Sequence, residues 1–145
     1  MPTYAEQKFL PYTQAQLFSL VADVDKYPEF LPWCTACRTT RRESETVFFA
    51  DLVIGYKLIR ERIACRVEAV APDSIHVAYL QGPLKHLSNH WRFIPQDGGC
   101  LIDFYVDFEL KNAFFQGFMS MFFHEAIQRM VGAFEARAKH LYGMQ

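Results

Sequence analysis

Hydrophobic and polar residues alternate regularly from Cys100 to Leu110, which predicts a strand with one buried and one wet face. The even positions are apolar, whereas Asp103, Tyr105, Asp107 and Glu109 fill most of the odd ones. Weaker patterns separated by turn residues predict six further strands, at Tyr4–Leu10, Cys34–Arg42, Thr46–Ile54, Lys57–Val70, Ser74–Leu80 and Leu84–Ile94. Gly55-Tyr56 and the run Pro95 to Gly99 are expected to be tight turns.

The last third of the chain follows a different period and predicts one long helix from Asn112 to Tyr142. Apolar residues recur along it at helical spacing, at positions 115, 119, 122, 126, 130 and 134. Asn112 is a candidate N-cap, and Gly143 follows the end. The first half is too apolar for a single stripe, because Phe114, Phe118, Met121 and Phe123 widen it.

Two short helices are expected after the first strand. Thr13 to Gln16 has the form of a capping box, and Asp25 is a candidate cap for a helix that ends at Leu31. On the long helix, Glu125 with Arg129 and Glu135 with Lys139 have the spacing of outward-facing ion pairs.

This order of elements predicts an α+β fold. Short turns between successive strands imply an antiparallel meander of about seven strands, and its apolar face needs a cover. The long helix is the element with enough length to provide that cover. We found no repeats or linkers, so residues 1–145 are interpreted as a single domain.

The composition suits a lined cavity better than a charged surface. Of 145 residues, 51% are hydrophobic and 14 are Phe, whereas the net charge is -1. A net charge this small argues against DNA as a partner. No apolar run approaches the ~18 residues of a membrane helix, and the N-terminus has no leader pattern. A cytoplasmic bacterial protein is the expectation, with peripheral contact at the inner membrane as an extension of it.

The four cysteines are interpreted as structural thiols. Cys34 and Cys37 form a C-x-x-C pair, but one pair alone does not complete a zinc site. A disulfide framework is not expected in a chain with this much core and no export signal. No metal ligand set is predicted.

No catalytic constellation emerges from the remaining polar residues. His124-Glu125 begins like a zinc-protease helix, but Gln128 stands where the second His should be. Asp103, Asp107 and Glu109 share the wet face of their strand, where solubilising roles are expected. These residues assemble no nucleophile, base and orienter, so the sequence predicts no catalytic residue and no required cofactor.

Three polar features leave alternatives open. Asn89 shares the parity of Leu87 and Trp91, so it either bonds a loop backbone or meets a ligand's head group. Glu61 shares the parity of Ile63, so it either lies near a strand end, pairs with an arginine, or lines the cavity. The third feature is a set of arginines that form either an ordinary charged face or a docking patch for lipid phosphates or ribosomal RNA, namely Arg38, Arg42, Arg60, Arg62 and Arg66.

Three segments together resemble a known family. They are Asp23 to Cys34 (DVDKYPEFLPWC), Gly82 to Phe93 (GPLKHLSNHWRF), and Val106 to Asn112 (VDFELKN) continuing into Phe122 to Glu125 (FFHE). The pattern is similar to the coenzyme Q-binding family of START-like, polyketide-cyclase-like proteins, and it spans nearly the whole chain. The family usually has Phe where this chain has Leu84, and a Glu near Ser88.

The resemblance implies a helix-grip fold, in which a curved antiparallel sheet wraps the C-terminal helix around an elongated apolar cavity. It also implies non-enzymatic binding of ubiquinone or a similar lipid in support of respiration, since a pocket of ~300–1,000 Å³ holds the head and a few isoprene units. The candidate ligand-binding residues are Phe30, Trp33, Ile59, Glu61, Ile63, Leu87, Asn89, Trp91, Phe93, Phe104, Val106, Phe115, Phe118, Met119 and Phe122.

Two alternatives stand beside the carrier hypothesis. Bacterial members of the family are also described as ribosome association toxins, so the large ribosomal subunit is a second expected partner. A cyclase-like or hydrolase-like enzyme is a third, because the fold class hosts such activities. Transient membrane contact during loading is expected at the apolar run Val53 to Tyr56.

Overall fold

A computed structural model describes the backbone of residues 3–56 and 59–143 and their side chains except those of 56, 59 and 113–123. The elements in chain order are β1 (Thr3–Leu10), α1 (Gln14–Ala22), a 3-10 helix (Val24–Glu29), β2 (Cys34–Arg42), β3 (Val47–Tyr56), β4 (Ile59–Val70), β5 (Ser74–Gln81), β6 (Leu84–Gln96), β7 (Gly99–Leu110) and α2 (Ala113–Tyr142). The predicted seven strands and long helix are confirmed.

The seven strands form one antiparallel sheet in the order β1-β7-β6-β5-β4-β3-β2. Neighbours along the chain pair directly from β2 to β7, as expected for short turns. The exception is β1, which pairs with β7, so Leu10 lies opposite Cys100. The sheet with its single covering helix is the α+β, helix-grip architecture that the sequence predicted.

Alternate residues of β3 to β7 face the helical side of the sheet and form most of the core. The ring of Phe134 on α2 lies 5.0 Å from the indole of Trp91 and 5.3 Å from the ring of Phe30, in edge-to-face arrangements. Such pairs add roughly 0.5–1.5 kcal/mol beyond their buried area. The second half of α2 is therefore fastened to the sheet by aromatic packing.

The start of α1 matches its prediction, and the next helix does not. Thr13 and Gln16 make both hydrogen bonds of a capping box, at 3.1 and 2.9 Å. The second short helix is a 3-10 helix, and Asp25 does not cap it. Instead its carboxylate accepts from the backbone N–H of Thr39 at 2.7 Å, which ties the helix to β2.

Three local predictions are corrected or tested by the packing. Gly55-Tyr56 belongs to β3, so the turn predicted there is wrong. Residues 57–58 lie outside the described residues. Glu125 and Arg129 form the expected ion pair at 3.5 Å. Glu135, however, pairs with Lys8 on β1 rather than with Lys139, because the edge strand β1 places the Lys8 ammonium group next to α2.

The C-terminal end of α2 is capped as predicted. Gly143 has φ +79° and its N–H donates to the Lys139 carbonyl at 2.8 Å. Within the described residues, no helix combines the length and apolar character needed to cross a bilayer.

Candidate ligand-binding face

The inner face of the sheet divides into a closed half and a half-exposed half. In the closed half the apolar side chains are less than 10% exposed and share one packed cluster with Phe134 of α2. They are Phe48, Val67, Ile75, Trp91, Phe93, Phe104 and Val106. A gap of about 20 Å³ lies there between Trp91, Phe104, Phe134 and the β1 edge. This volume is enough for about one water and far too small for a lipid.

The half-exposed half lies toward the β3–β4 end. Register places Leu52 beside Ile63 and Ile54 beside Glu61 on the inner face. The same face continues through Val77 and Leu87, and all of these apolar side chains are only partly buried. Apolar side chains that stay half-exposed on a concave face provide a surface for an apolar guest.

Asn89 carries a polar group at the boundary between the two halves. The Trp91 indole Nε1–H donates to Asn89 Oδ1 at 3.0 Å, and Asn89 Nδ2 donates to the Tyr105 carbonyl at 2.9 Å. Trp91 is thereby the donor that fixes the orientation of the amide. The Asn89 partner is thus a strand carbonyl, where the sequence suggested a loop.

The structure separates the predicted binding residues into three groups. Phe30, Trp91, Phe93, Phe104 and Val106 belong to the packed core around Phe134. Ile63, Leu87 and Asn89 lie on the half-exposed inner face, Trp33 borders it, and Glu61 is exposed at its end. The side chains of Ile59, Phe115, Phe118, Met119 and Phe122 lie outside the described residues. Ligand contact stays a prediction for all fifteen.

Several inner-face positions were absent from that prediction. Leu52, Ile54, Val77, Tyr79 and Phe108 share the face with Ile63 and Leu87. Parity along β3, where Phe48 and Ala50 are buried, assigns Leu52 and Ile54 to the same side. That signal is present in the sequence. Tyr79 follows Ile75 and Val77 at period two, so its signal was present as well.

The thiols lie inside the fold and are held in their neutral form. Burial raises the pKa of Cys34 to about 11, of Cys37 to about 12 and of Cys65 to about 11. Neutral thiols are poor nucleophiles and poor metal ligands. Within residues 3–56 and 59–143, no three His, Cys, Asp or Glu side chains group closely enough to hold a metal ion.

Titratable groups cluster instead on the outer face of β5–β7. Asp107 accepts from the Tyr105 hydroxyl at 2.6 Å and bonds His86 Nε2 at 2.6 Å. The His76 and His90 rings stack 4.0 Å apart. Burial lowers the pKa of His90, and the neighbouring His76 lowers it further. The sheet separates this cluster from the inner face, so it supplies no acid or base to a molecule bound there.

Arginines concentrate on the outer face of β2–β4. In the described part of these strands, Arg38, Arg41, Arg60, Arg62 and Arg66 share this face with two carboxylates, Asp51 and Glu68. Arg42 of the predicted set is paired with the buried Phe48 and so lies on the other face. The Arg41 guanidinium lies 4.4 Å from the centre of the Phe49 ring, and Arg66 is paired across from Phe49. This face is positive although the chain has a net charge of -1.

Comparisons with known proteins agree with this architecture. A family model described as polyketide cyclase / dehydrase and lipid transport matches residues 10–135. The solution structure of an 18 kDa protein from Caulobacter crescentus has a TM-score of 0.79 and 38% identity, with 99% of each chain covered. The crystal structure of Zhui aromatase/cyclase from a Streptomyces species has a TM-score of 0.81 over 95% of this chain and 93% of that one, but at 14% identity it shows the fold alone.

Two relatives bear names that point in different directions. A ribosome association toxin of Rickettsia prowazekii is 33% identical over 145 residues, covering 97% of this chain and 99% of the toxin. A mitochondrial coenzyme Q-binding protein of Xenopus laevis, COQ10 homolog B, is 33% identical over 147 residues. That match covers 98% of this chain and 60% of the Xenopus protein.

Proposed function

Because this chain belongs to the polyketide cyclase / dehydrase and lipid transport family, we propose that it binds an apolar lipid, a polyisoprenoid quinone, and carries it without changing it. The ligand lies between the half-exposed inner face of the sheet and the first half of α2. The carried quinone supports respiratory electron transfer. The relative named as a coenzyme Q-binding protein favours this ligand class.

The observation that carries the proposal is the uneven filling of the inner face. One half is closed by Trp91 and Phe134, whose rings are 5.0 Å apart. The other half leaves Leu52, Ile63 and Leu87 partly exposed on a concave surface. An isoprenoid chain that covers them gains roughly 25 cal/mol for each Å² of apolar area removed from water.

The polar groups near this face suit recognition rather than reaction. Asn89 presents an amide whose oxygen is engaged by the Trp91 indole. Its Nδ2 uses one hydrogen on the Tyr105 carbonyl and retains a second for an acceptor. A quinone carbonyl is such an acceptor. Buried thiols stay protonated because their pKa values are raised to about 11 or 12, so they supply no nucleophile at neutral pH.

The decisive experiment is identification of the bound molecule. Protein purified without detergent is extracted with organic solvent and analysed by mass spectrometry, and delipidated protein is titrated with a short-tail ubiquinone. We expect stoichiometric quinone in the extract and saturable quenching of tryptophan emission in the titration. Recovery of no lipid, together with an unsaturable titration, would refute the proposal.

A second candidate function is association with the large ribosomal subunit. The observation that favours it is the pair Arg41 and Arg66 on either side of Phe49, since cations around an aromatic ring suit RNA phosphates and bases. The toxin relatives carry this activity in their names. Ribosome profiles in sucrose gradients test it.

The gradient experiment has a matched pair of variants. Arg41→Glu with Arg66→Glu should abolish any shift from joined ribosomes to free subunits, because it reverses both charges beside Phe49. Arg92→Glu changes an exposed arginine on the outer face of β6 and should leave the shift intact. An unchanged profile with the wild-type protein eliminates this function.

A further inference from the structure

We propose that the β3–β4 end of the sheet, together with Trp33, is a docking site for the surface of an anionic lipid bilayer. This inference rests on the proposed carrier function, since a lipid carrier must collect its ligand from a membrane. It adds the place of contact and the lipid charge that the contact requires. Four observations on this end of the molecule support it.

Trp33 has a backbone conformation that is rare for a bulky residue. Its φ is +65°, in the left-handed region that usually takes Gly or Asn. The Gly55 N–H donates to the Trp33 carbonyl at 2.8 Å, which ties this connector to the end of β3. Strain of this kind is retained where the surroundings enforce it, and it concentrates at functional sites.

The strand beside Trp33 is apolar on both faces. Leu52 and Ile54 lie on the inner face, Val53 lies on the outer face, and all three are partly exposed. Cys34, which follows Trp33, is paired with Ile54, so the tryptophan borders these residues. Tryptophan with small apolar neighbours is the composition that favours the boundary between lipid headgroups and acyl chains.

Arginines flank this apolar end. Arg60 lies opposite Gly55 and Arg62 lies opposite Val53, both on the outer face and both exposed. Arg62 is paired with Asp51 at 3.5 Å, yet its side chain remains 68% exposed. Because Arg60 and Arg62 are neighbours of Gly55 and Val53, they are placed to meet lipid phosphates while Leu52, Val53 and Ile54 contact the lipid tails.

Charges of both signs lie along the β2–β3 hairpin. Glu43 and Glu45 occupy the turn at the far end and are exposed, next to the exposed Arg41 and Arg42. At the near end the exposed Glu61 lies opposite Ile54 on the inner face, whereas Arg60 and Arg62 lie on the outer face. A negative surface therefore meets these two cations when it approaches this end from the outer face.

A bilayer explains this site better than RNA does. RNA phosphates would use the arginines but gain nothing from Leu52, Val53 and Ile54. The RNA candidates, Arg41 and Arg66, lie farther along the strands than the Arg60–Arg62 pair. The combination of tip, tryptophan and adjacent cations is therefore assigned to lipid.

Binding is measured with quinone-free vesicles of phosphatidylcholine, with or without phosphatidylglycerol. The chain has two tryptophans, and Trp91 is 5% exposed, so an emission change on docking reports Trp33. We expect co-sedimentation and a blue shift with anionic vesicles, and at least tenfold weaker binding to neutral vesicles. Trp33→Gly, whose backbone suits the positive φ, should co-sediment at least tenfold more weakly than the wild type.

Charge reversal provides the matched comparison. Arg60→Glu with Arg62→Glu should weaken vesicle binding at least tenfold and leave short-tail ubiquinone titration in detergent unchanged. Arg92→Glu, also an exposed outer-face arginine, should bind vesicles like the wild type. Circular dichroism confirms that each variant is folded.

The outcomes separate this inference from the carrier function. Equal losses for Arg60/Arg62 and Arg92 variants would show unspecific attraction and overturn the docking site. Absence of vesicle binding alongside saturable quinone binding overturns docking and leaves the carrier function standing. Binding of polyuridine through Arg60 and Arg62, with no vesicle binding, would reassign this end to RNA.

Discussion

The indole N–H of Trp91 and the side-chain oxygen of Asn89 are joined by a 3.0 Å hydrogen bond between residues two apart on the same inner face of β6. The ring of Trp91 is 5% exposed, so its N–H has no ready substitute in water. The bond satisfies the polar group of the Trp91 indole, so the ring can be buried in the closed half of the inner face. It also orients the Asn89 amide at the border of the half-exposed half.

Asn89→Leu should therefore destabilise the protein. The indole N–H would lose its acceptor in a buried place, which costs about 1–3 kcal/mol. Urea unfolding followed by circular dichroism measures the change. In Trp91→Phe the donor is absent, so Asn89→Leu should cost at least about 1 kcal/mol less in that background. Additive effects of the two substitutions would contradict the coupling.

Ile63→Trp should abolish ligand binding at little cost in stability. Ile63 is half-exposed on the inner face, where a larger ring occupies the space assigned to the lipid. We expect at least tenfold weaker quinone binding and a change of less than about 1.5 kcal/mol in unfolding free energy.

The matched change in the closed half is Ile75→Trp. Ile75 is 2% exposed beside Trp91, so the added volume has no room and should cost about 3 kcal/mol or more. Ligand titration and thermal unfolding of the two variants decide the comparison. Equal destabilisation by both would mean that the inner face is filled throughout.

Stability should fall above pH 9, with a measurable share due to Cys65. Burial raises the pKa of this thiol from 9.0 to about 11 in the folded protein. A raised folded pKa means that the contribution is complete below the unfolded pKa and is lost as the pH rises through the folded value. Between pH 9 and 11 each such thiol removes up to ~1.4 kcal/mol per pH unit.

Cys65→Ala provides the control for the pH dependence. Unfolding free energies at half-unit pH steps should fall less steeply for the variant than for the wild type from pH 9 to 11. The offset at pH 7 reports the lost sulfur contacts and does not enter the comparison. Parallel curves for the two proteins would show that the thiol ionises equally in both states.

Gly132→Ala should stabilise the protein by about 1 kcal/mol, because alanine is the better helix former. A Cβ at this position on α2 meets no atom within 4 Å. Gly99→Ala should act in the opposite direction, since its Cβ would lie 2.2 Å from the Leu10 carbonyl oxygen. Thermal unfolding of both variants checks the pair, and a stabilised Gly99→Ala would mean that β1 shifts without cost.

Periodicity along the chain was sufficient to predict every strand, the long helix and the sheet's buried face. Period-two alternation determines which of Phe104 and Tyr105 faces inward before any contact is known. Ion-pair partners that are distant in sequence could not be predicted from periodicity. Lys139 is the helical neighbour of Glu135, but Lys8, more than a hundred residues away, takes its carboxylate.

The candidate site was predictable only in outline. Hydrophobic parity placed Trp91 and Leu87 on one face. It does not predict that Trp91 is buried and Leu87 half-exposed, because packing density depends on the opposing helix. The positive φ of Trp33 likewise has no sequence signal, since tryptophan is among the last residues expected there. Both properties arise from tertiary packing.

The pairing of β1 with β7 has a consequence for how the protein is made. Thr3 pairs with Asp107 and Leu10 pairs with Cys100, so β1 can join the sheet only after nearly all strands have left the ribosome. Until α2 follows, the apolar concave face of the nascent chain has no cover and is open to aggregation or to chaperones. A lipid present at that moment would act as a temporary core, so the supply of ligand would affect the yield of folded protein.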